Sequence, residues 1–211
     1  MKKTLTIALL TGLASVASAS IVNNGGFEDG SGSDAADWTE IVGGPSGSVG
    51  RSDNMPNSGN WSAYMAFDHI NNPAAGGAYF IEQVMPVGSI VAGQSYNLSF
   101  YAKMESMDFT GMDTFFQILW LDQDGSDGGG VRGEQLTSLI GQGIGTDYQQ
   151  FSFDLTAAAG ADSFLLRFQL SAGAVTGIAN GLYVDDVALV PAPGAIALLG
   201  LGGLAATRRR R

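Results

Sequence analysis

Cysteine is absent from the 211 residues, which excludes a disulfide framework, thiolate catalysis and Cys-ligated zinc or iron–sulfur centres. Histidine is almost as scarce. His69 is the only one, and its context, Phe67-Asp68-His69-Ile70-Asn71-Asn72-Pro73, has no nucleophile-elbow pattern, so it reads as a loop histidine rather than the base of a triad. Basic residues are missing from the middle of the chain: between Glu28 and Asp186 only Arg51, Lys103, Arg132 and Arg167 stand against twenty acidic residues, a net of −16. A surface that acidic repels phosphate backbones, which excludes nucleic acid as a partner and suits cation binding or an extracellular milieu. Glycine and proline together make 37 residues, below the share of low-complexity disorder. With 45% apolar residues and 11 Phe, 6 Tyr and 3 Trp, one domain with a sizeable core is expected.

The two ends read as addresses. Met1-Lys2-Lys3, the apolar stretch Leu5 to Val16 and the small residues Ala17-Ser18-Ala19 have the order of a secretory signal peptide, so residues 1–19 are expected to be removed and the mature chain to start at Ser20. At the other end, Val190-Pro191-Ala192-Pro193 is followed by 14 uncharged residues, Gly194 to Thr207, and then by Arg208 through Arg211. The stretch is short for an ordinary spanning helix, and the arginines behind it would stay cytoplasmic during export.

Between Ser20 and Val190, short alternating or apolar runs are separated by Gly, Asn, Asp and Ser clusters, the pattern of strands and turns. Strands are expected at Trp61 to Phe67, Tyr79 to Met85, Ser95 to Met104, Phe115 to Asp122, Gln149 to Leu155, Ser163 to Ser171 and Leu182 to Val190. Seven such strands in about 170 residues predict an all-β sandwich. Alternation points Leu98, Phe100 and Ala102 one way and Ser99, Tyr101 and Lys103 the other, and sets Leu166, Phe168 and Leu170 against Leu165, Arg167 and Gln169. The best helical stretch, Leu155 to Ala161, is short and contains Gly160. Asp122 through Gly130 superficially suggests a calcium loop, but position 12 is Gly133 rather than the bidentate Glu, so a glycine-rich hairpin turn is the better reading.

Two resemblances follow from these residues. The C-terminal order of a Pro-x-Pro motif, a hydrophobic helix and a basic cluster resembles the PEP-CTERM sorting signal of Gram-negative bacteria. That resemblance implies an exosortase-like sorting enzyme as partner, transient contact with the inner membrane, and delivery to the cell surface or extracellular matrix; Ala192 stands where the family usually has Glu, and a plain membrane anchor is the alternative. In the body, Asn24-Gly25-Gly26-Phe27-Glu28, Asn57 through Tyr64, Ile81-Glu82-Gln83-Val84, Ala92 through Phe100 and Leu182 through Val187 resemble, in order, the galactose-binding-like jelly roll, and more narrowly carbohydrate-binding modules of the cellulose- and xylan-binding type. The domain organisation is then a signal peptide at 1–19, a jelly-roll sandwich at 20–190 and a sorting or anchor segment at 191–211 with a short hydrophobic helix.

The second resemblance implies a structural calcium site, for which Glu28 and Asp185 are the side-chain matches, with carbonyls near Gly26 and Gly59 as helpers; hard oxygen ligands of this kind suit calcium. Sugar recognition needs aromatic platforms and planar polar side chains. The outward strand positions offer Tyr101, Lys103, Gln117, Arg167 and Gln169, with Trp120 or Trp61 as platforms, although Trp120 shares its strand face with Phe116 and Ile118. Paired carboxylates could make a glycosidase, but nothing marks one pair among twenty acids. The reading is therefore an exported, non-catalytic module that binds polysaccharide. The alternative is a structural surface or biofilm protein that binds no sugar.

Overall fold

Apolar residues at every second position bury one side of a strand and leave the other wet, and two such sheets must close on each other. The computed structural model, which describes residues 19–71, 76–122 and 130–192, shows this closure. Twelve strands follow in order: β1 Gly30–Ser31, β2 Asp34–Ala35, β3 Thr39–Val42, β4 Gly47–Ser52, β5 Ser62–Asp68, β6 Gly77–Val84, β7 Ser95–Met104, β8 Met112–Leu121, β9 Val131–Ser138, β10 Gln149–Thr156, β11 Ser163–Ala172 and β12 Ala179–Pro191. β1 and β2 form a small ribbon; the rest build a first sheet, β3-β6-β11-β8-β9, and a second sheet, β10-β7-β12-β5-β4, in which neighbours run antiparallel. The molecule is an all-β sandwich. No helix occurs among the described residues, and Leu155 to Ala161 ends β10 and continues as turn.

The core between the sheets is aromatic at its centre. Phe100 of β7 meets Phe168 of β11 edge-on at 4.9 Å, Phe116 of β8 at 5.8 Å, and stacks with Phe151 of β10 at 5.4 Å. Phe27 and Trp38, from the segment before β3, continue the cluster at 5.0 Å from each other and carry it to Phe168. The seven expected strands are all present, with ends shifted by at most three residues. β8 and β9 form the expected hairpin, closed by the Asp122 N–H to the Gly130 carbonyl; the turn at 123–129 lies outside the described residues.

The expected signal peptide, 1–19, and the expected sorting or anchor segment, 191–211, lie outside them too, apart from Ala19 at one end and Pro191 and Ala192 at the other. The sandwich runs slightly past Val190: Pro191 is still in β12, and the Ala192 N–H donates to the Ser95 carbonyl. His69 lies in a turn, as its sequence context suggests, but not a solvent-facing one. It follows directly on β5, its N–H donates to the Ile178 carbonyl, and its ring is buried beside Phe67.

Candidate functional site

Strand register decides which outward side chains meet. On the outer side of the first sheet, β11 lies between β6 and β8, so Arg167 sits opposite both Glu82 and Gln117, and Gln169 opposite both Phe80 and Phe115. β9 places Leu136 beside Gln117, and β3 places Thr39 beside Glu82 and Ile41 beside Phe80. Two rows result: a polar one, Gln117–Arg167–Glu82, and next to it an aromatic–amide–aromatic one, Phe115–Gln169–Phe80.

The polar row is tied together. Arg167 Nε donates to Glu82 Oε2 at 2.7 Å and its Nη1 to Gln117 Oε1 at 3.1 Å, while Gln117 Nε2 donates to Glu134 Oε1 at 2.7 Å. The guanidinium also lies 4.4 Å over the Phe80 ring. These contacts fix Arg167 and Gln117 in one rotamer, with the ion pair's side chains each 13% exposed. Gln169 is bound more lightly, donating to Ser171 Oγ at 2.6 Å. Phe80 and Phe115 are partly exposed. Chemically this surface offers planar polar groups for hydroxyls between apolar rings.

Three of the five sequence-derived ligand residues, Gln117, Arg167 and Gln169, are therefore brought together. The other two are not. Tyr101 points outward from the second sheet, opposite Gln150 and Asp185. Trp120 is a correction: it is 4% exposed and packs inside the sandwich against Phe164 and Tyr96, because it shares the inward side of β8 with Phe116 and Ile118. Trp61 is no platform either, since the Arg51 guanidinium covers its ring at 4.1 Å. Phe80, Phe115, Glu82 and Glu134 were missed, although alternation from Tyr79 and Ile81 already turns Phe80 and Glu82 outward.

The fold is shared with carbohydrate-binding modules. TmCBM61, solved in complex with β-1,4-galactotriose, matches with a TM-score of 0.52 at 14% identity over 83% of this chain and 100% of its own. The CBM22-1 xylan-binding domain of Paenibacillus barcinonensis Xyn10C matches with a TM-score of 0.50 at 14% identity, over 83% of this chain and 99% of its own. The enzymatically active domain of bacteriophage CBA120 tailspike protein 4 matches with a TM-score of 0.59 at 18% identity, and the chain, 82% covered, spans 21% of that protein. No protein-family model matches the chain, and no curated protein does.

The expected metal pair holds a different place. Glu28 and Asp185 both grip the turn that leads into β5. Glu28 Oε1 accepts the N–H groups of Asn60 at 2.8 Å and Trp61 at 3.0 Å; Asp185 Oδ2 accepts those of Asn57 at 2.8 Å and Ser58 at 3.1 Å. Asp186 joins them, accepting from Asn57 Nδ2 and Ser58 Oγ, because a bulge between Asp185 and Ala188 puts it at φ 51°. Gly59 is required here: its φ is 60°, and a Cβ would collide with Glu28 Oε1.

Burial is the largest single influence on Glu28 and pushes its carboxyl up, but the bonds from Asn60 and Trp61 together outweigh it and hold the group below its ordinary range. Asp185 is fully buried, and burial pushes it up to about 6 despite its three N–H bonds. No three acidic or histidine side chains among the described residues are grouped to hold an ion. The donor set is hard in kind: the carboxylates of Glu28, Asp185 and Asp186 all bond to the same turn, and that of Asp185 is fully buried.

Proposed function

We propose that the protein is an exported, non-catalytic polysaccharide-binding module whose ligand lies across β6, β11 and β8. The observation that carries this reading is the pair of adjacent rows, Phe115–Gln169–Phe80 and Gln117–Arg167–Glu82, on one outward sheet face. The Phe115 ring would stack on the apolar face of a sugar unit, Phe80 would back the Arg167 guanidinium that covers it, and the amides, Arg167 and Glu82 would bond hydroxyls. The signal peptide and the PEP-CTERM-like C-terminus support delivery to the cell surface by an exosortase-like enzyme through the inner membrane.

The experiment is retention of the full chain on a panel of plant, algal and bacterial polysaccharides, compared with Gln169→Ala. Loss of two hydrogen bonds to hydroxyls at that position is expected to weaken binding about tenfold. Unchanged retention in the variant would remove this face from the reading.

A second reading, a structural surface protein, is favoured by one observation. Val84 and Val131, each 44% exposed, pair with Leu165 and Leu121 of an apolar cluster, Leu119, Leu121 and Leu165, separate from the main core. Absence of glycan retention together with concentration-dependent sedimentation would decide for it.

We also propose calcium at the Glu28–Asp185 turn, where Glu28 and Asp185 would supply carboxylate oxygens and backbone carbonyls the remainder. The ion would supply positive charge beside the buried Asp185 carboxylate. The melting temperature is expected to rise on adding calcium to chelator-treated protein, and to stay put in Asp185→Asn; an unchanged wild-type melt overturns the site.

A further inference from the structure

The second sheet turns a different surface outward. Tyr64 of β5 and Tyr183 of β12 are register partners with ring centroids 4.6 Å apart, and Glu105, just past β7, accepts a hydrogen bond from the Tyr183 hydroxyl at 3.2 Å. Beside this pair, where β4 meets β5, lies a groove of about 450 Å³ whose lining includes Ser46, Ser48, Tyr64, Asp68 and Glu105. Two of its lining residues are acidic and none is basic. Lys103, on β7 beyond β12, lies 5.7 Å from the Tyr148 ring and 5.8 Å from the Tyr183 ring.

Three details point to an occupant. Hydrogen bonds from the Asn71 side chain and from the backbone of Asn71 and Ile70 hold the Asp68 carboxyl below its ordinary range, so it stays an anion at neutral pH. Ser46, whose carbonyl accepts the Asp68 N–H at 2.7 Å, is 7% exposed, and its hydroxyl has no hydrogen-bond partner. A polar group so placed costs free energy unless something bonds to it. The third detail is Tyr64, whose partly exposed ring joins the carboxylates in the lining.

We infer that this groove is a second ligand site, on the sheet opposite the aromatic–glutamine rows, and that it takes a hydroxylated ligand carrying an amine: amino-sugar chemistry. An ammonium group adds charge-assisted hydrogen bonds to the Asp68 and Glu105 carboxylates and lies favourably against a tyrosine ring. Ring hydroxyls answer Ser46 and Ser48. The body's net charge of −16 draws cationic ligands and repels uronates and sulfated glycans.

Calorimetric titration of the full chain near pH 6 with four tetrasaccharides tests this: tetraglucosamine, its fully N-acetylated counterpart, cellotetraose and tetragalacturonate. Tetraglucosamine is expected to bind about tenfold or more tighter than the two neutral oligomers, and tetragalacturonate not at all. Glu105→Gln, which keeps an acceptor for Tyr183, should weaken tetraglucosamine about tenfold. Ser48→Lys, at an exposed strand position, should abolish its binding while leaving the melting temperature unchanged. Gln169→Ala should leave it untouched, so that failure of the first-sheet site and of this one are read separately. Equal affinity for the free amine and the acetylated oligomer, binding that survives Ser48→Lys, or loss in Gln169→Ala instead would each overturn the inference, as would no binding of tetraglucosamine.

Discussion

At 2% exposure, with its ring 4.7 Å from that of Phe67, His69 is held inside the sandwich while neither ring nitrogen has a hydrogen-bond partner. Buried donors and acceptors left unpaired cost on the order of 1–3 kcal/mol. His69→Phe removes both and keeps an aromatic ring against Phe67, so it is expected to stabilise the protein by about 1 kcal/mol, read as a higher denaturant midpoint. A lower midpoint would show that the imidazole is satisfied in solution. Asp185 gives the opposite kind of test. Its folded-state carboxyl titrates at about 6 against an ordinary value of 3.8, so between those values the native state binds more protons than the unfolded chain. Stability is therefore expected to fall as pH rises from about 4 to 6, by a few kcal/mol at most, and to level off above. In Asp185→Asn that slope should disappear when unfolding is followed across the same pH range in chelator.

Elements with alternating apolar residues were legible from the sequence. Ser95 to Met104 was placed to the residue, because Tyr96, Leu98, Phe100, Ala102 and Met104 form an unbroken inward line. β4 and β9 were not legible. Gly47–Ser52 carries one aliphatic residue, and Val131–Ser138 is mostly polar on both sides; both are sheet edges that exist through ladders to β5 and β8 rather than through their own pattern. β4 also depends on what it lacks. Gly47 leaves the space that the Tyr79 ring fills, and a Cβ there would run into that ring. Gly47→Ala is expected to cost about 2 kcal/mol by overpacking, and adding Tyr79→Leu should recover part of the loss in a thermal melt. An undiminished melt in the single variant would mean that β4 shifts freely.

For the whole molecule, alternation told which residues point outward but not which sheet each strand joins. Tyr101 and Arg167 read alike in sequence, yet β7 and β11 belong to opposite sheets, a choice made by long-range pairing with β12 and β10 on one side and β6 and β8 on the other. So Gln117, Arg167 and Gln169 assemble while Tyr101 stands on the far surface. Trp120 was decided by its neighbours Phe116 and Ile118, whose burial it shares.

The position of β12 bears on how the molecule carries force. It is the central strand of the second sheet, bonded to β5 along one edge and to β7 along the other, and its C-terminal end is laced further by Ile21 N–H to the Leu189 carbonyl and Ala192 N–H to that of Ser95. A pull on the C-terminus runs along this strand. It loads the β7 ladder in shear along Leu182–Pro191 and, behind it, the β5 ladder along Ala179–Val184, instead of peeling one open bond by bond, so a domain pulled by that end is held through its central strand.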